Sequence, residues 1–402
     1  MKTALRSSFF LLLATTAFTI PAQAEEVPPV VSAIFKSWET QFKAKPSYEK
    51  IEADGDGNVT ITNLAASLAA EGPNLGMNFT IGKITLKDIA AEEGGLIKVG
   101  SATLSNSKAE ISGANNQNFS VEMPEGTAED WYVPVEGDNP TPKEAFRASM
   151  SLAKKIKSGE LKIMTMGQTI TSDGYETTWD GDPATGAGKF TMTLGNVVIP
   201  EAAIAAMDPS GQLKQLGYSG LTFMASGDGA LTVADDTFGF SANIGFASED
   251  LAGFKMAFGA SDVPMTAAAE MRASQKEGRP PNFNALMPQL MNVSLGNFQF
   301  RFEDDSITKK VLPMIAKMQG MDEAAMVANA GAMMQIGLMQ LKNQVFTDQV
   351  VGAVNSFLKN PKSFTISLKP AAPVKVQQLM TLNPNNPGAA IDVLGVSVTA
   401  ND

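Results

Sequence analysis

The chain has 402 residues, 44% of them apolar, and sets 31 basic side chains against 42 acidic ones. That composition supports a packed core and argues against global disorder, and the net charge of −11 suits neither nucleic acid nor anionic membranes. With no histidine and no cysteine, Ser-His-Asp and Cys-His catalysis are excluded, as is any zinc or haem site that needs those ligands from this chain.

The first 24 residues read as a secretory leader. Lys2 and Arg6 form its positive end, Phe9 to Phe18 its apolar centre, and Ala22-Gln23-Ala24 a small-x-small site cleaved after Ala24. The apolar run is too short to cross a bilayer, and no later segment holds 18 apolar residues in succession. No cysteine follows it for lipid attachment. Losing 24 residues and two cations leaves 378 residues with a charge of −13. A secreted chain of this size without disulfides fits a bacterial periplasm. The alternative is a transmembrane β-barrel, against which stand a long helical stretch and the ending Ala400-Asn401-Asp402, which lacks an aromatic strand.

After the leader, Val31, Ile34, Phe35, Trp38 and Phe42 stand near helical spacing, so a short amphipathic helix is expected over 30–42, ended by Lys45-Pro46. Ser47 to Met123 is strand-rich and repeats a glycine, any residue, then a threonine among apolar residues. The copies begin at Gly57, Gly82 and Gly100, with later ones at Gly188 and Gly229. Glycine is expected to supply the turn and the β-branched alternation the strand. The spacing is too irregular for a solenoid.

Glu125 to Pro142, rich in proline, glycine and acids, reads as a linker. Thr141-Pro142-Lys143-Glu144 opens a helix expected to reach about Lys157. Leu161 to Phe258 is again β-rich, with Phe238, Phe240, Ala242, Ile244 and Phe246 on one strand face and a helical stretch at 201–216. Short helices follow at 265–275 and 282–291. In three places, Lys45-Pro46-Ser47, Lys157-Ser158-Gly159 and Lys359-Asn360-Pro361, a lysine at the end of a helical pattern precedes a turn and a strand.

Asn297 to Pro373 organises the rest. Phe298, Phe300 and Phe302 alternate along one strand face, and Asp304, Asp305 and Ser306 signal a helix start. Three helical stripes are expected: Ile307, Val311, Met314, Ile315 and Met318; then Met326, Ala330, Met333, Gly337 and Leu341; then Phe346, Val350, Val354 and Phe357. Phe364 to Leu368 returns to strand and Pro370 ends it. The tail reads as a short helix, a Pro-Asn loop and a strand over 393–399. The three rings require a large apolar partner, and the Met-rich helices are the nearest in sequence, so the sheet is expected to pack on residues 306–358 with any apolar ligand between them.

Other motifs carry less. Asp54-Gly55-Asp56-Gly57-Asn58 resembles a calcium loop, but the EF-hand pattern requires glycine and glutamate where Val59 and Ala65 stand, so a hairpin turn is the plainer reading. Met314, Met318, Met321, Met326, Met333, Met334 and Met339 could offer thioethers to copper(I), line a pliable apolar groove, or be ordinary helix core. Trp131-Tyr132 and Tyr175 with Trp179 could stack sugars or sit at strand edges. Glycoside hydrolysis requires a carboxylate pair that the sequence does not single out. Glu303-Asp304-Asp305 reads as charge at a helix N-terminus.

Phe300-Arg301-Phe302-Glu303-Asp304-Asp305-Ser306, with the helix ending Met318-Gln319-Gly320-Met321, and the run from Asn360 to Pro373 resemble uncharacterised exported proteins of Gram-negative bacteria, in the manner of the YdgA-like and AsmA-like envelope families. The likeness covers about the last hundred residues. It implies a periplasmic, β-rich, envelope-associated protein. AsmA-like proteins suggest lipid handling but are usually membrane-anchored, whereas this sequence shows no anchor beyond its leader. No catalytic residue carries over.

The fold expected is therefore α+β: extended, mostly antiparallel sheet with helices on one face and a helical insert near the C-terminus. The divisions expected are the leader, 25–124, a linker and helix over 125–160, 161–292, and 293–402. The function expected is non-enzymatic envelope work, binding lipid or another apolar ligand, with no cofactor, no nucleic acid and no spanning segment after leader removal. The ligand candidates are Phe298, Phe300, Phe302, Met314, Met318, Met326 and Met333. An envelope scaffold without a small-molecule site is the alternative, and a carboxylate- or Ser/Lys-based hydrolase the second.

Overall fold

The computed structural model describes residues 27–42, 44–68, 76–92, 95–112, 118–135, 140–150, 152–277, 279–383 and 386–402. The leader, with Ala22 and Ala24, lies outside the described residues. Among the described residues strand accounts for 47% and helix for 31%, in mostly antiparallel sheet, so the α+β class holds. The chain forms two compact units: residues 1–186, 192–211 and 268–281, and residues 187–191, 212–267 and 282–402.

The first unit opens with helix α1 (Pro29–Phe42). Its expected stripe holds from Val31 to Trp38: Val31 and Ile34 are buried, and Trp38 meets Phe79 edge-on at 5.0 Å, while the Phe42 side chain lies outside the described ones. Strands β1 (Lys50–Ala53), β2 (Val59–Leu68), β3 (Gly76–Glu92), β4 (Leu96–Ser112) and β5 (Asn118–Pro134) pair in succession. Three of them are 17 residues long, well above the usual five or six.

Two glycine rows explain how such strands bend. The register sets Gly100 opposite Asp88 on β3 and Asp130 on β5, and Gly82 opposite Asn63 on β2 and Asn106 on β4. All four Asx residues have φ between +45° and +54°. A Cβ on Gly100 would lie 2.8 Å from the Cβ of Asp88. In each row a glycine lets a left-handed Asx residue come close on either side, which kinks the strands together. This corrects the turn reading of the repeat: Gly57, with φ of +79°, does sit in a turn, but Gly82, Gly100 and Gly229 lie inside strands.

The expected linker is also corrected, because Glu125 to Pro134 is the second half of β5. Helix α2 (Pro142–Ala148) has the expected capping box, Thr141 with Glu144, but stops at Ser149 rather than Lys157. Residues 152–158 form β6 (Leu152–Ser158), which pairs with β5 from Tyr132↔Leu152 to Gly126↔Ser158. Pairing on both edges, with Lys154 bridging Asp130 at 3.0 Å and Lys155 bridging Glu176 at 2.9 Å, overrides the helical propensity of Ala-Lys-Lys-Ile-Lys. Strands β7 (Leu161–Thr165), β8 (Gln168–Ser172), β9 (Tyr175–Gly181) and β10 (Gly188–Ile199) follow, with β7 beside β5 and β8, and β8 beside β10. The helical stretch expected at 201–216 divides into α3 (Glu201–Met207), in the first unit, and α4 (Gln212–Gln215), with which the second unit resumes.

In the second unit β11 (Leu221–Val233), β12 (Thr237–Ser248) and β13 (Ala252–Pro264) form a meander. Next in the chain comes α5 (Met265–Glu277), which from Ala268 on belongs to the first unit; then α6 (Phe283–Leu290), capped by Asn282, whose side chain accepts from the Ala285 amide. Strand β14 (Ser294–Asp304) pairs with β13 on one side and β15 (Ser363–Leu368) on the other, and carries the expected insert: α7 (Ile307–Met318), α8 (Glu323–Leu338) and α9 (Gln344–Lys359). The tail is β16 (Val374–Lys375), α10 (Val376–Met380), α11 (Gly388–Leu394) and β17 (Val396–Ala400), which pairs with β15. The expected strand start at 393 is thus the end of a helix, closed by Gly395 at φ +57°.

Candidate functional site

The second unit's sheet has two chemically opposite faces. One row across it reads Ala225, Phe246, Phe254, Phe302, Phe364, Ala400, and the next Gly227, Ile244, Met256, Phe300, Ile366, Val398. Strict alternation places Phe298, Phe300 and Phe302 on this apolar face, as expected. The rings contact one another: Phe223 and Phe246 lie 5.3 Å apart, Phe246 and Phe254 stack at 5.1 Å, and Phe254 and Phe300 at 6.3 Å. Along the middle of β11, between Phe223 and Leu231, the face shrinks to Ala225, Gly227 and Gly229. A Cβ on Gly229 would fall 2.4 Å from Cζ of Phe190, so that ring lies over the strand because no side chain stands there.

Helix α9 covers one end of this face. Val350 and Ala353 are buried against Val398, with Phe364, Ile366 and Ala400 around them, and Phe357 meets Phe302 at 5.9 Å and Phe364 at 5.8 Å. The expected packing therefore holds for Phe302, which touches the insert. The ring stack of Phe300 is instead with Phe254 of the next strand. Phe223, Phe238, Phe240, Phe246, Phe254, Phe258, Phe298, Phe300 and Phe302 are all half-buried, none of them buried. Phe300 is half-buried, so removing its ring should cost less than the roughly 3–5 kcal/mol that a fully buried ring would.

The methionine candidates are not one group. Met314 and Met326 are half-buried, but Met318 is 79% and Met333 75% exposed. Two expected stripes are rotated: α7 buries Leu312 and Ala316, and α8 buries Val327 and Gly331. For α8 the cause is its composition. It is apolar on every side, so periodicity could not choose its inner face, and close approach to α9 selected Gly331, where a Cβ would come to 2.8 Å from Asn355 Oδ1. Helix α8 and the 3-10 turn after it, Glu323–Leu341, are long and apolar enough to cross a membrane by length and composition, with 11% buried.

The opposite face is polar. Arg301 donates from Nη1 to Asp402 Oδ1 at 2.6 Å, from Nη2 to the Asp402 carbonyl at 2.8 Å and from Nε to Glu303 Oε1 at 2.9 Å, while Lys255 Nζ reaches Glu303 Oε2 at 2.9 Å. The Thr399 hydroxyl, then Arg301, hold the Asp402 carboxyl down at about 2, and Lys255, then Arg301, lower that of Glu303. Glu303 thus belongs to a cross-strand network and not to the helix start. Only Asp304 acts there: its Oδ1 accepts from the Thr308 amide at 2.7 Å. Ser306 does not cap α7; its hydroxyl bonds Tyr218 Oη at 2.7 Å and the Asp250 carbonyl. Sequence reasoning missed Asp402 and Tyr218, since neither lies in a local pattern with its partner.

The remaining candidates resolve simply. Asp54 accepts from the amides of Asp56 at 3.0 Å and Asn58 at 2.9 Å, which makes the Asp-Gly motif a turn. Among the described residues no group of three or more Asp or Glu is placed to hold a metal ion. Tyr132 and Trp179 are buried against each other at 6.2 Å, so this pair offers no open sugar platform. In the first unit an open groove of about 350 Å³ lies between β4, β5 and the β7–β8 turn, lined by Glu110, Phe119, Met164 and Met166 among others.

A family model described as an uncharacterized protein matches residues 245–401. That span holds most of the aromatic face and the whole helical insert. No curated protein matches the chain.

Proposed function

We propose that this is an exported, non-enzymatic protein of the Gram-negative envelope whose second unit holds an apolar, acyl-chain-like ligand on its phenylalanine face. The observation that carries the reading is that nine phenylalanines on one continuous sheet face are all left half-buried. Burying an exposed ring fully is worth roughly 1.5–3 kcal/mol, and covering the part that each of these rings still shows would add a fraction of that per ring. Stacked rings beside the Ala225-Gly227-Gly229 stretch of β11 give a flat, elongated bed, which suits a flexible chain better than a compact polar metabolite. A periplasmic address rests on the leader pattern at 1–24 and the absence of cysteine.

The test is organic extraction of the purified full chain followed by mass spectrometry, with titration of the delipidated protein by a fluorescent fatty acid. Saturable binding that falls about tenfold or more in Phe254→Asp and in Ile244→Asp is expected. The absence of both co-purified lipid and saturable binding, or binding that both variants leave intact, would refute the reading.

A further inference from the structure

The phenylalanine face ends on a polar row. Beyond Phe246, Phe254 and Phe302 the register sets Ser248, Ala252 and Asp304 next to one another on the same side of the sheet. Ser248 is 1% and Asp304 8% exposed, yet Ser248 Oγ and Asp304 Oδ2 are buried without a hydrogen-bond partner among the described residues. Buried polar atoms are nearly always paired in folded proteins. Only four side-chain atoms among the described residues escape that rule, and two of them fall on this row. The polar groups nearby are engaged elsewhere. Thr308 donates its amide to Asp304 Oδ1 at 2.7 Å, not to Oδ2. The amides of Asp305, Ser306 and Ile307 converge on the Leu251 carbonyl at 3.1 to 3.3 Å. The Ser306 hydroxyl bonds Tyr218 Oη, and Lys310 Nζ lies 3.6 Å from the centre of the Tyr218 ring. Between the two unpaired atoms Ala252 contributes only a methyl group and is itself partly exposed, so no side chain of the row fills the gap.

We propose that this row is the head-group subsite of the phenylalanine face and takes a neutral, hydroxyl-bearing head of the glycerol-ester kind. The inference rests on the reading of that face as a bed for an acyl chain, and adds the chemistry at its end. A carboxylate oxygen only accepts hydrogen bonds, so the head must donate to Asp304 Oδ2, whereas Ser248 Oγ can donate or accept. Two hydroxyls on neighbouring carbons answer both. A fatty-acid carboxylate would set like charge against Asp304 with no donor of its own to offer. A lone ammonium would satisfy Asp304 but leave Ser248 unpaired, since two strand spacings, about 10 Å of backbone, separate them.

Isothermal titration calorimetry of the delipidated full chain tests it, with 1-monolaurin, lauric acid and dodecylamine, which share one chain length, each kept below its micellar concentration. Monolaurin is expected to bind about tenfold tighter than either charged probe. Ser248→Ala should weaken monolaurin about threefold to tenfold and leave lauric acid unchanged, and Asp304→Asn should bring lauric acid within about threefold of monolaurin. Each variant removes an unpaired buried atom or its charge, so without ligand both should melt no lower than the parent. A lower melting point would give these side chains a structural role and overturn the subsite. Equal affinity for the three probes, tightest binding of dodecylamine, or a preference that both variants leave intact would each overturn it too, the last by assigning the row to ordered water only. In those cases binding that Phe254→Asp abolishes would still uphold the acyl-chain reading. No binding of any probe would refute that reading and the subsite with it.

Discussion

Asp402 shows how one side chain can close a sheet. Its Oδ1 accepts from Arg301 at 2.6 Å and from Ser363 at 3.2 Å, and its Oδ2 accepts from Thr399 at 2.7 Å, so it joins β14, β15 and the end of β17. The consequence is visible in β15, where Ser363, Thr365 and Ser367 are buried while the apolar Phe364, Ile366 and Leu368 are half-buried. Small polar residues lie on the Arg301 side of the strand, and on the other face Phe364 and Ile366 pack against α9. Because the Asp402 carboxyl is held near 2, below its ordinary 3.8, its charge favours the folded state above the ordinary value, and that contribution disappears as the pH falls towards 2. The side chain is 47% exposed, so solvent screening keeps the effect small. Asp402→Asn should cost about 1 kcal/mol near neutral pH in urea melts, with parent and variant converging below about pH 3. A gap that persists in acid would mean the carboxylate acts through shape and not charge.

At the scale of elements, the Asx–Gly–Asx rows are the least conventional construction in the chain. Gly100 stands between Asp88 at φ +54° and Asp130 at φ +45°, and Asp130 is itself held by Lys98 at 2.9 Å and Lys154 at 3.0 Å. A side chain at Gly100 has nowhere to go without moving a neighbouring backbone. Gly100→Val should therefore destabilise the protein by about 1–3 kcal/mol in urea melts, although valine is the better strand former. Gly55→Ala, with open space around it, should change little. A Gly100→Val protein as stable as the parent would show that the kink is not required for pairing. These rows also mark a limit of local reading. The alternation of Thr60, Ile61, Thr85, Leu86, Thr103 and Leu104 is visible in the sequence and does make strands, but which glycine turns and which glycine faces a neighbour depends on register across strands tens of residues apart. The same distance hid β6, whose lysines read as helix until Asp130 and Glu176 are placed beside them. Strand–insert–strand order was legible because β14, α7, α9 and β15 each carry a local signal, whereas α8, apolar all round, offers none for its orientation.

For the molecule as a whole, composition sets the response to pH. The chain has no histidine and no cysteine, which removes the side chains that ordinarily titrate between about pH 5 and 9. The resolved carboxylate shifts all run the same way: Asp54, Asp130, Glu144, Asp182, Asp262, Glu303 and Asp402 are lowered, chiefly by hydrogen bonds from Asn58, Lys98, Thr141, Thr185, Ser294, Lys255 and Thr399 in turn. Each favours folding above its ordinary value of 3.8 or 4.5 and ceases to do so as acid protonates it. At the alkaline end Lys154, raised by its bond to Asp130, supports the fold below 10.5 and stops as it deprotonates. Tyr175, raised by burial, likewise favours folding until it ionises. Buried Arg147, brought down to about 10 by desolvation, works in the opposite sense, since losing its proton relieves a burial cost. Nothing in this set changes between the two ends. The melting temperature of the full chain should therefore be flat within about 2 °C from roughly pH 6 to 9, and should fall progressively below about pH 5 as the lowered carboxylates protonate. Differential scanning calorimetry in buffers of matched ionic strength checks this. A step in stability near neutrality would contradict it, because no side chain in the described structure is placed to produce one.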